Sequence, residues 1–235
     1  MRDLSRSRVS VIVPILNEQS RIQALLDQLL ALPGLHQIIV VDGGSRDQGA
    51  ALASARAGVV VLLAARGRGA QMNAGARAAS GDVLLFLHAD VTLPHDAVRW
   101  IDGALEDSAV VAGAFRTWTV PDAQPAPRWA PLLHLADLRS RYAKLPYGDQ
   151  ALFVRAEVFR ALGGFAEIEL MEDLELSRRL CAAGRVVTLP ASVLVSGRRF
   201  LARPVFYTLV MNLFPLLYRL GVPPQALSRL YGHVR

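Results

Sequence analysis

The sequence predicts an α/β protein in three layers, a mostly parallel central sheet between helices, with a helical extension at its C-terminal end. Three observations carry that class. Short apolar runs alternate with stretches of helical apolar spacing, which is the pattern of βα units joined by right-handed crossovers. The runs themselves, such as Val9–Ile15 and Val83–Leu87, lack the in-and-out alternation of a half-exposed sheet, as strands covered on both faces do. Finally, 235 residues with 52% hydrophobic and 20% charged side chains suit one sizeable domain with a small appendage.

Val9–Ile15 is the first strand, with Pro14 near its end and Asn17 and Glu18 after it; Ile22, Leu25, Leu26, Leu29 and Leu30 then recur at helical spacing until Pro33 and Gly34 stop them. Gln37–Val41 is the second strand and runs straight into Asp42, Gly43, Gly44 and Ser45, where Ser45 or Asp47 is placed to cap a helix reaching Ala57. Val59–Leu63 is the third strand. Arg66, Gly67, Arg68 and Gly69 form a basic glycine-rich loop before a helix over Ala70–Ala79. The fourth strand opens the stretch DVLLFLHADVTLP, in which Val83–Leu87 delivers His88, Ala89 and Asp90 to its carboxyl end. Successive βα units bring all four tips to one edge, where open α/β sheets bind ligands.

After Pro94, a helix over His95–Asp107 turns Ala97, Val98, Ile101, Ala104 and Leu105 inward, and Val110–Val120 is another strand. Residues 121–131, PDAQPAPRWAP, contain four prolines and read as a surface loop or hinge. A helical pattern returns over Leu132–Tyr142, followed by a turn at Tyr147–Gln150, a short strand at Ala151–Val154 and a helix over Glu157–Leu162 that Gly163 and Gly164 close. Met171, Glu172 and Asp173 open a helix with Leu174, Leu176, Leu180 and Ala183 on its apolar side, ended by Gly184; Val186–Leu189 and Ser192–Val195 are two short strands. The lone cysteine, Cys181, excludes a disulfide or cysteine-based metal site and reads as a small buried hydrophobe.

The net charge of +6 and a pI near 10.2 favour anionic partners. The arginines are scattered and aromatics make up 7%, so there is neither the basic stripe nor the stacking platform of a nucleic-acid reader. The N-terminus, MRDLSRSRVS, is not a signal peptide, which points to the cytoplasm. Val205–Val222 is strongly apolar, but Asn212, Pro215 and Arg219 interrupt it, against a span that needs about 20 predominantly apolar residues. Two readings stay open for it. It packs on the main domain or a second copy as a homodimer, or it lies at the inner face of a membrane, helped by Arg199, Arg203, Arg219, Arg229 and Arg235.

The polar residues at the strand tips carry the chemistry, each with a plainer alternative. His88 and Asp90 could hold a divalent cation, or merely cap the next turn. Asp42, before two glycines and a helix N-terminus, could accept from a nucleobase N–H or a ribose hydroxyl, or cap a helix. Asn17 and Glu18 share that ambiguity. The RGRG loop could cradle phosphate through its backbone and the guanidiniums of Arg66 and Arg68, but it lacks the lysine and spacing of a P-loop. No GxGxxG follows the first strand, which argues against a dinucleotide-binding dehydrogenase. Glu172 and Asp173 either favour a helix N-terminus or serve catalysis. Gly197, Arg198, Arg199 and Phe200 offer paired guanidiniums to a diphosphate, or form a solvated turn.

Taken in order, VSVIVPILNE, VVDGGSRD, RGRGAQMNAGA, LLFLHAD, GDQALFVRAEVFRALGGF and MEDLELSRRL resemble the signature of family-2 glycosyltransferases over about residues 9–200. The FLHAD and YGDQ forms further resemble a bacterial subgroup of glycosyltransferases associated with radical-SAM and selenodomain proteins. The resemblance implies a GT-A fold in residues 1–200, with 201–235 as the extension, a nucleotide-diphosphate sugar donor, Mg2+ or Mn2+, and single-displacement transfer with inversion. It places Asp42 and Glu18 at base and ribose beside Pro14 and Asn17, with Gly43, Gly44, Arg66, Arg68, Gln71, Asn73 and Ala89 at the donor. Asp90 would be the metal ligand of a DxD-like motif in which His88 replaces the usual first Asp, a change that favours Mn2+ over Mg2+. Asp173 would be the general base, Glu172 an orienting or acceptor contact, Gly148, Asp149 and Gln150 neighbours of donor sugar and acceptor, and Arg198 and Arg199 partners of the leaving diphosphate. A uridine donor and a lipid-linked acceptor fit this pattern. A nucleotidyltransferase would need a glycine-rich, lysine-containing loop after the first strand, which PILNE does not supply; a binding protein without turnover would not need both Asp90 and Asp173.

Overall fold

The computed structural model describes residues 7–122, 134, 137, 140, 145–198 and 204–231. Its first half follows the expected alternation: β1 (Val9–Ile15), α1 (Gln19–Ala31), β2 (Leu35–Asp42), α2 (Gly49–Ser54), β3 (Val59–Leu63), α3 (Arg68–Ala78) and β4 (Val83–Phe86). β1 pairs in parallel with β2 and β4, and β2 with β3, so the four carboxyl ends share one edge. There follow β5 (Val91–Thr92), α4 (Ala97–Leu105), β6 (Val110–Val120), a 3-10 turn at Gly148–Gln150, β7 (Leu152–Arg155), α5 (Ala156–Ala161), α6 (Glu172–Ala183), β8 (Arg185–Ser196), α7 (Pro204–Arg219) and α8 (Pro224–Tyr231). One eight-stranded sheet results, in the order β3-β2-β1-β4-β7-β6-β8-β5. β7 runs antiparallel to both neighbours, β5 antiparallel to β8, and the rest are parallel.

The absence of alternation in the strands has a direct cause. Val11, Val13 and Ile15 of β1 face a core shared with Ile22, Leu26 and Leu29 of α1 and Ile101 of α4. Ile12, on the other side of β1, joins Met72 of α3, Phe159 of α5 and Leu176 of α6. Both faces are covered, so both sets of side chains must be apolar.

The structure departs from expectation in several places. Residues 185–196 form one strand rather than two. Leu189 pairs with Phe115 and Ser192 with Arg116, so Pro190 and Ala191 are bulged out and the ladder tolerates a residue with no N–H. α2 stops at Ser54 rather than Ala57, and α3 begins at Arg68, so half of the RGRG loop is already helix. Asp47, not Ser45, serves α2, accepting from the Gly49 N–H at 2.9 Å. Cys181 and Ala183 are exposed rather than buried, while Leu180 in the same turn packs inward. Residues 134, 137 and 140 of the expected helix are helical. Beyond β7 the open edge of β6 is covered by them: Thr117 N–H donates to Ser140 Oγ at 3.0 Å and Thr119 N–H to Asp137 Oδ2 at 2.9 Å. The proline-rich residues 123–131, Arg199, Phe200, Arg203 and Arg235 lie outside the described residues.

α7 buries Tyr207, Val210 and Phe214, with Leu227 of α8, against Tyr147, Met171 and Leu174. The packing reading of the apolar stretch therefore holds for one face of this helix. No helix among the described residues is long and apolar enough to cross a membrane.

Candidate functional site

The tip of β4 is fixed before any functional side chain is placed. Leu87 N–H donates to Ile12 O at 3.0 Å and Val91 N–H to His88 O at 3.1 Å, so residues 88–91 form a turn at the sheet edge. His88 and Asp90 are half-buried within it, with Ala89 tucked beneath. Asp90 is held from the far side of the sheet as well, since Ser196 N–H at the end of β8 donates to Asp90 O at 3.0 Å.

A second set of residues reaches the same place from α6. Met171 takes a left-handed conformation, φ 70°, and starts the helix so that Glu172, Asp173 and Glu175 fall in its first turn, where the helix dipole favours negative charge. Asp173 Oδ1 accepts from the Leu174 N–H at 2.7 Å and Oδ2 from the Gly148 N–H at 2.6 Å. Gly148 has His88 on its other side. A Cβ at Gly148 would lie 3.1 Å from His88 Nε2 and 3.2 Å from Asp173 Oδ2, so the imidazole and the carboxylate converge on one glycine of the 3-10 turn. The turn is braced by Gln150 Oε1, which accepts from the Tyr147 N–H at 2.7 Å, and by Ser177 Oγ, which donates to Pro146 O.

The third contribution is electrostatic. Arg198, just after β8, pairs its Nη2 with Glu18 Oε1 at 2.9 Å and lies 3.9 Å from Asp90 Oδ2. Glu18 Oε2 is buried and has no hydrogen-bond partner among the described residues. Arg21 and the Ser196 hydroxyl both engage Asp122 beside this cluster. Sequence reasoning missed that brace, because an arginine in the first turn of a helix looks like a solvated face residue.

At β2 the expected donor contacts divide. Asp42 is buried, and its carboxylate accepts from the Ser45 N–H at 3.0 and 3.1 Å and from the Ser45 hydroxyl, closing its own loop. Asn17, with φ 56°, accepts from the Arg46 N–H at 2.8 Å, and its own N–H donates to Ser45 Oγ, which stitches the β1 and β2 loops together. Gly44 borders open space, whereas Gly43 is small because Gln71 lies against it: a Cβ there would meet the amide at 2.9 Å. Gln71 itself is 2% exposed and donates to Ile15 O and Val41 O, each at 2.8 Å. Asn73 exchanges two hydrogen bonds with the Phe165 backbone. Gln71, Asn73 and Gln150 thus each hold backbone groups of the framework with their side-chain amides. Pro14 sits in β1 opposite Val41, Arg66 is exposed, Arg68 begins α3, and Glu172 is buried where its Cβ faces Gly69. Asp149 is half-buried on the 3-10 turn.

Among the described residues no group of three or more His, Cys, Asp and Glu side chains is set to hold a metal alone. Asp90 fits a different arrangement, in which one or two carboxylates bind the cation and substrate phosphates complete its shell, and the His88 imidazole beside it suits Mn2+ better than Mg2+. The buried, unsatisfied Glu18 Oε2 is consistent with a site finished by a ligand.

A parallel sheet with its polar residues gathered beyond the strand tips, extended by an antiparallel β7, is a GT-A glycosyltransferase fold. Residues 10–163 match the model of the family described as glycosyl transferase family 2, and the chain belongs to that family. The undecaprenyl-phosphate 4-deoxy-4-formamido-L-arabinose transferase of Yersinia pestis (strain Pestoides F) is 31% identical over 120 residues, which cover 46% of this chain and 37% of that protein. The match thus spans well under half the length of this curated relative. The mannosyltransferase PcManGT from Pyrobaculum calidifontis, solved with GDP-Man and Mn2+, aligns with a TM-score of 0.61 at 22% identity, covering 81% of this chain and 57% of that one. S. aureus TarS 1-349 in complex with UDP-GlcNAc aligns with a TM-score of 0.63 at 19% identity, over 80% of this chain and 58% of that one.

Proposed function

We propose that the protein is an inverting, metal-dependent glycosyltransferase that moves a sugar from a UDP-linked donor to a hydroxyl of a lipid-linked acceptor. The observation that carries the reading is the convergence of the β4 tip and the α6 N-terminus on Gly148, which sets His88 and Asp173 around one point at the sheet edge. Support for the donor class comes from neighbours solved with GDP-Man and UDP-GlcNAc, and for the acceptor from the undecaprenyl-phosphate relative. On the FLHAD and YGDQ forms we place the chain with the bacterial subgroup associated with radical-SAM and selenodomain proteins.

In this reading the base and ribose lie against the loops that Asn17, Ser45 and Asp42 tie together. Asp90, with His88 beside it, would hold Mg2+ or Mn2+, which when bound offsets charge on the diphosphate. Arg198 supplies a guanidinium at the same place, and the first turn of α3 with Arg66 and Arg68 supplies more positive potential. Asp173 is the base. Its Oδ2 accepts the proton of the acceptor hydroxyl, the oxygen attacks the anomeric carbon from the face opposite the diphosphate, and the bond from that carbon to the phosphate oxygen breaks. Such a placed carboxylate contributes about 10²–10⁴-fold. The Gly148 N–H that Asp173 already accepts holds the carboxylate in position.

A thermal-shift screen against UDP, GDP, CDP, TDP and their sugars, with and without Mn2+ or Mg2+, tests the reading. A ligand at 100 times its dissociation constant stabilises by about 2.7 kcal/mol, so a metal-dependent shift with a uridine nucleotide is expected. Turnover releases nucleoside diphosphate. Release of pyrophosphate would make the protein a nucleotidyltransferase, and binding without turnover a nucleotide-sugar-binding protein.

A further inference from the structure

Charge in this chain is sharply divided. Residues 176–235 contain nine arginines and no aspartate or glutamate, while the first 175 residues hold the other 17 basic side chains and all 20 acidic ones. Three of the nine pair with acids outside that segment: Arg179 with Glu175, Arg185 with Asp107 and Arg198 with Glu18. The other six, Arg178, Arg199, Arg203, Arg219, Arg229 and Arg235, have no acidic neighbour in the segment itself. Into this basic end is set a row of apolar side chains facing water. Phe206, Leu213, Leu216 and Leu220 are 36%, 46%, 51% and 73% exposed. At 100° per residue they fall within a helical arc of roughly 80°, beside the arc that buries Tyr207, Val210 and Phe214.

We infer that this face of α7 docks the protein on an anionic lipid surface. Exposed leucines on one flank of a helix, in a segment of one charge sign, are what an interfacial helix presents to acyl chains and acidic headgroups. The sign of the charge selects this occupant over a second copy of the chain. A twofold dimer through α7 would bring the same basic segment from each subunit together, with no acidic residue within that segment to oppose it. The buried arc of α7 packs on Tyr147, Met171 and Leu174, which flank the turn bearing Gly148 and the start of the helix bearing Asp173. A bilayer against the exposed arc therefore lies within about one helix diameter, 10–12 Å, of those elements. If the acceptor is lipid-linked, as the proposed function has it, docking delivers it to the acceptor side of the site.

Vesicle co-sedimentation of the full chain, without donor or acceptor, tests the docking separately from the chemistry. The chain should bind vesicles of phosphatidylcholine with about one-third phosphatidylglycerol, bind pure phosphatidylcholine far less, and release as salt is raised. Leu216→Asp combined with Leu220→Asp should lower partitioning onto the anionic vesicles by about tenfold or more, with the melting temperature and nucleotide binding of the parent retained, since both side chains are exposed. Absence of binding to anionic vesicles, or unchanged binding by the double variant, overturns the inference. So does a dimer on size-exclusion light scattering that the same two substitutions dissociate.

Discussion

The Gly148 N–H donates to Asp173 Oδ2 at 2.6 Å, and this single bond joins the turn before β7 to the first turn of α6. It fixes one oxygen of the carboxylate proposed as the base. Asp173→Asn keeps an acceptor for that N–H but cannot take a proton from a hydroxyl. The expected result is a fall in kcat of about 10²–10⁴-fold, with nucleotide affinity in a binding titration close to that of the parent. Retained turnover would place the base elsewhere.

Gly148 is confined from both sides. A methyl group there would sit 3.1 Å from His88 Cε1 and Nε2 and 3.2 Å from Asp173 Oδ2, tighter than ordinary contact. Gly148→Ala should therefore push the imidazole and the carboxylate apart by a few tenths of an ångström. Misplacement on that scale affects chemistry more than folding. Activity should drop about tenfold or more while the denaturation midpoint moves little; a normal kcat would show that the two groups do not act together.

Arg198 stands beside Glu18 and Asp90, the carboxylates proposed to meet the donor and the cation. Its guanidinium is 2.9 Å from Glu18 Oε1 and 3.9 Å from Asp90 Oδ2. Arg198→Gln leaves both carboxylates without that charge. Mn2+ should then bind the nucleotide-free chain more tightly by calorimetry, because no guanidinium opposes it. UDP in the presence of Mn2+ should bind about 10–100-fold more weakly, the worth of a charge-assisted contact. Asp90→Ala should instead abolish the metal dependence of UDP binding. If both variants titrate like the parent, neither residue belongs to the diphosphate site.

The parts of this arrangement differ in how plainly the sequence shows them. β1 and β4 are legible because a strand covered on both faces must be apolar throughout, and the helices between the strands show their own period. The pairing of Glu18 with Arg198 is not, since the two lie 180 positions apart and meet only because β8 closes beside β6 at the same edge. Pro190 made one strand look like two, as a bulge leaves no mark in sequence beyond the proline itself. Cys181 and Ala183 follow the helical period yet are exposed, because periodicity alone does not say how wide the buried arc of a helix is. Gln71 and Asn73 show the complementary limit. An amide that binds backbone and an amide that binds a ligand are the same letter in the same motif.

Gln71 provides the test of that last distinction. Its Nε2 donates to the carbonyls of Ile15, the last residue of β1, and Val41, the last but one of β2, just before the Glu18 and Asp42 loops. With 2% exposure, water cannot replace it. Gln71→Leu keeps the approximate volume but leaves both carbonyls buried with one acceptor site each unfilled. The cost should be about 2–4 kcal/mol of unfolding free energy in urea, two lost hydrogen bonds with unsatisfied partners. A residue that contacted donor directly would show the reverse, a weakened nucleotide affinity at nearly unchanged stability. A Gln71→Glu variant keeps the length but turns the donor into an acceptor against two carbonyls, so it should destabilise at least as much at neutral pH. If either variant melts like the parent and binds UDP poorly, Gln71 is a ligand contact and the framework role assigned to it fails.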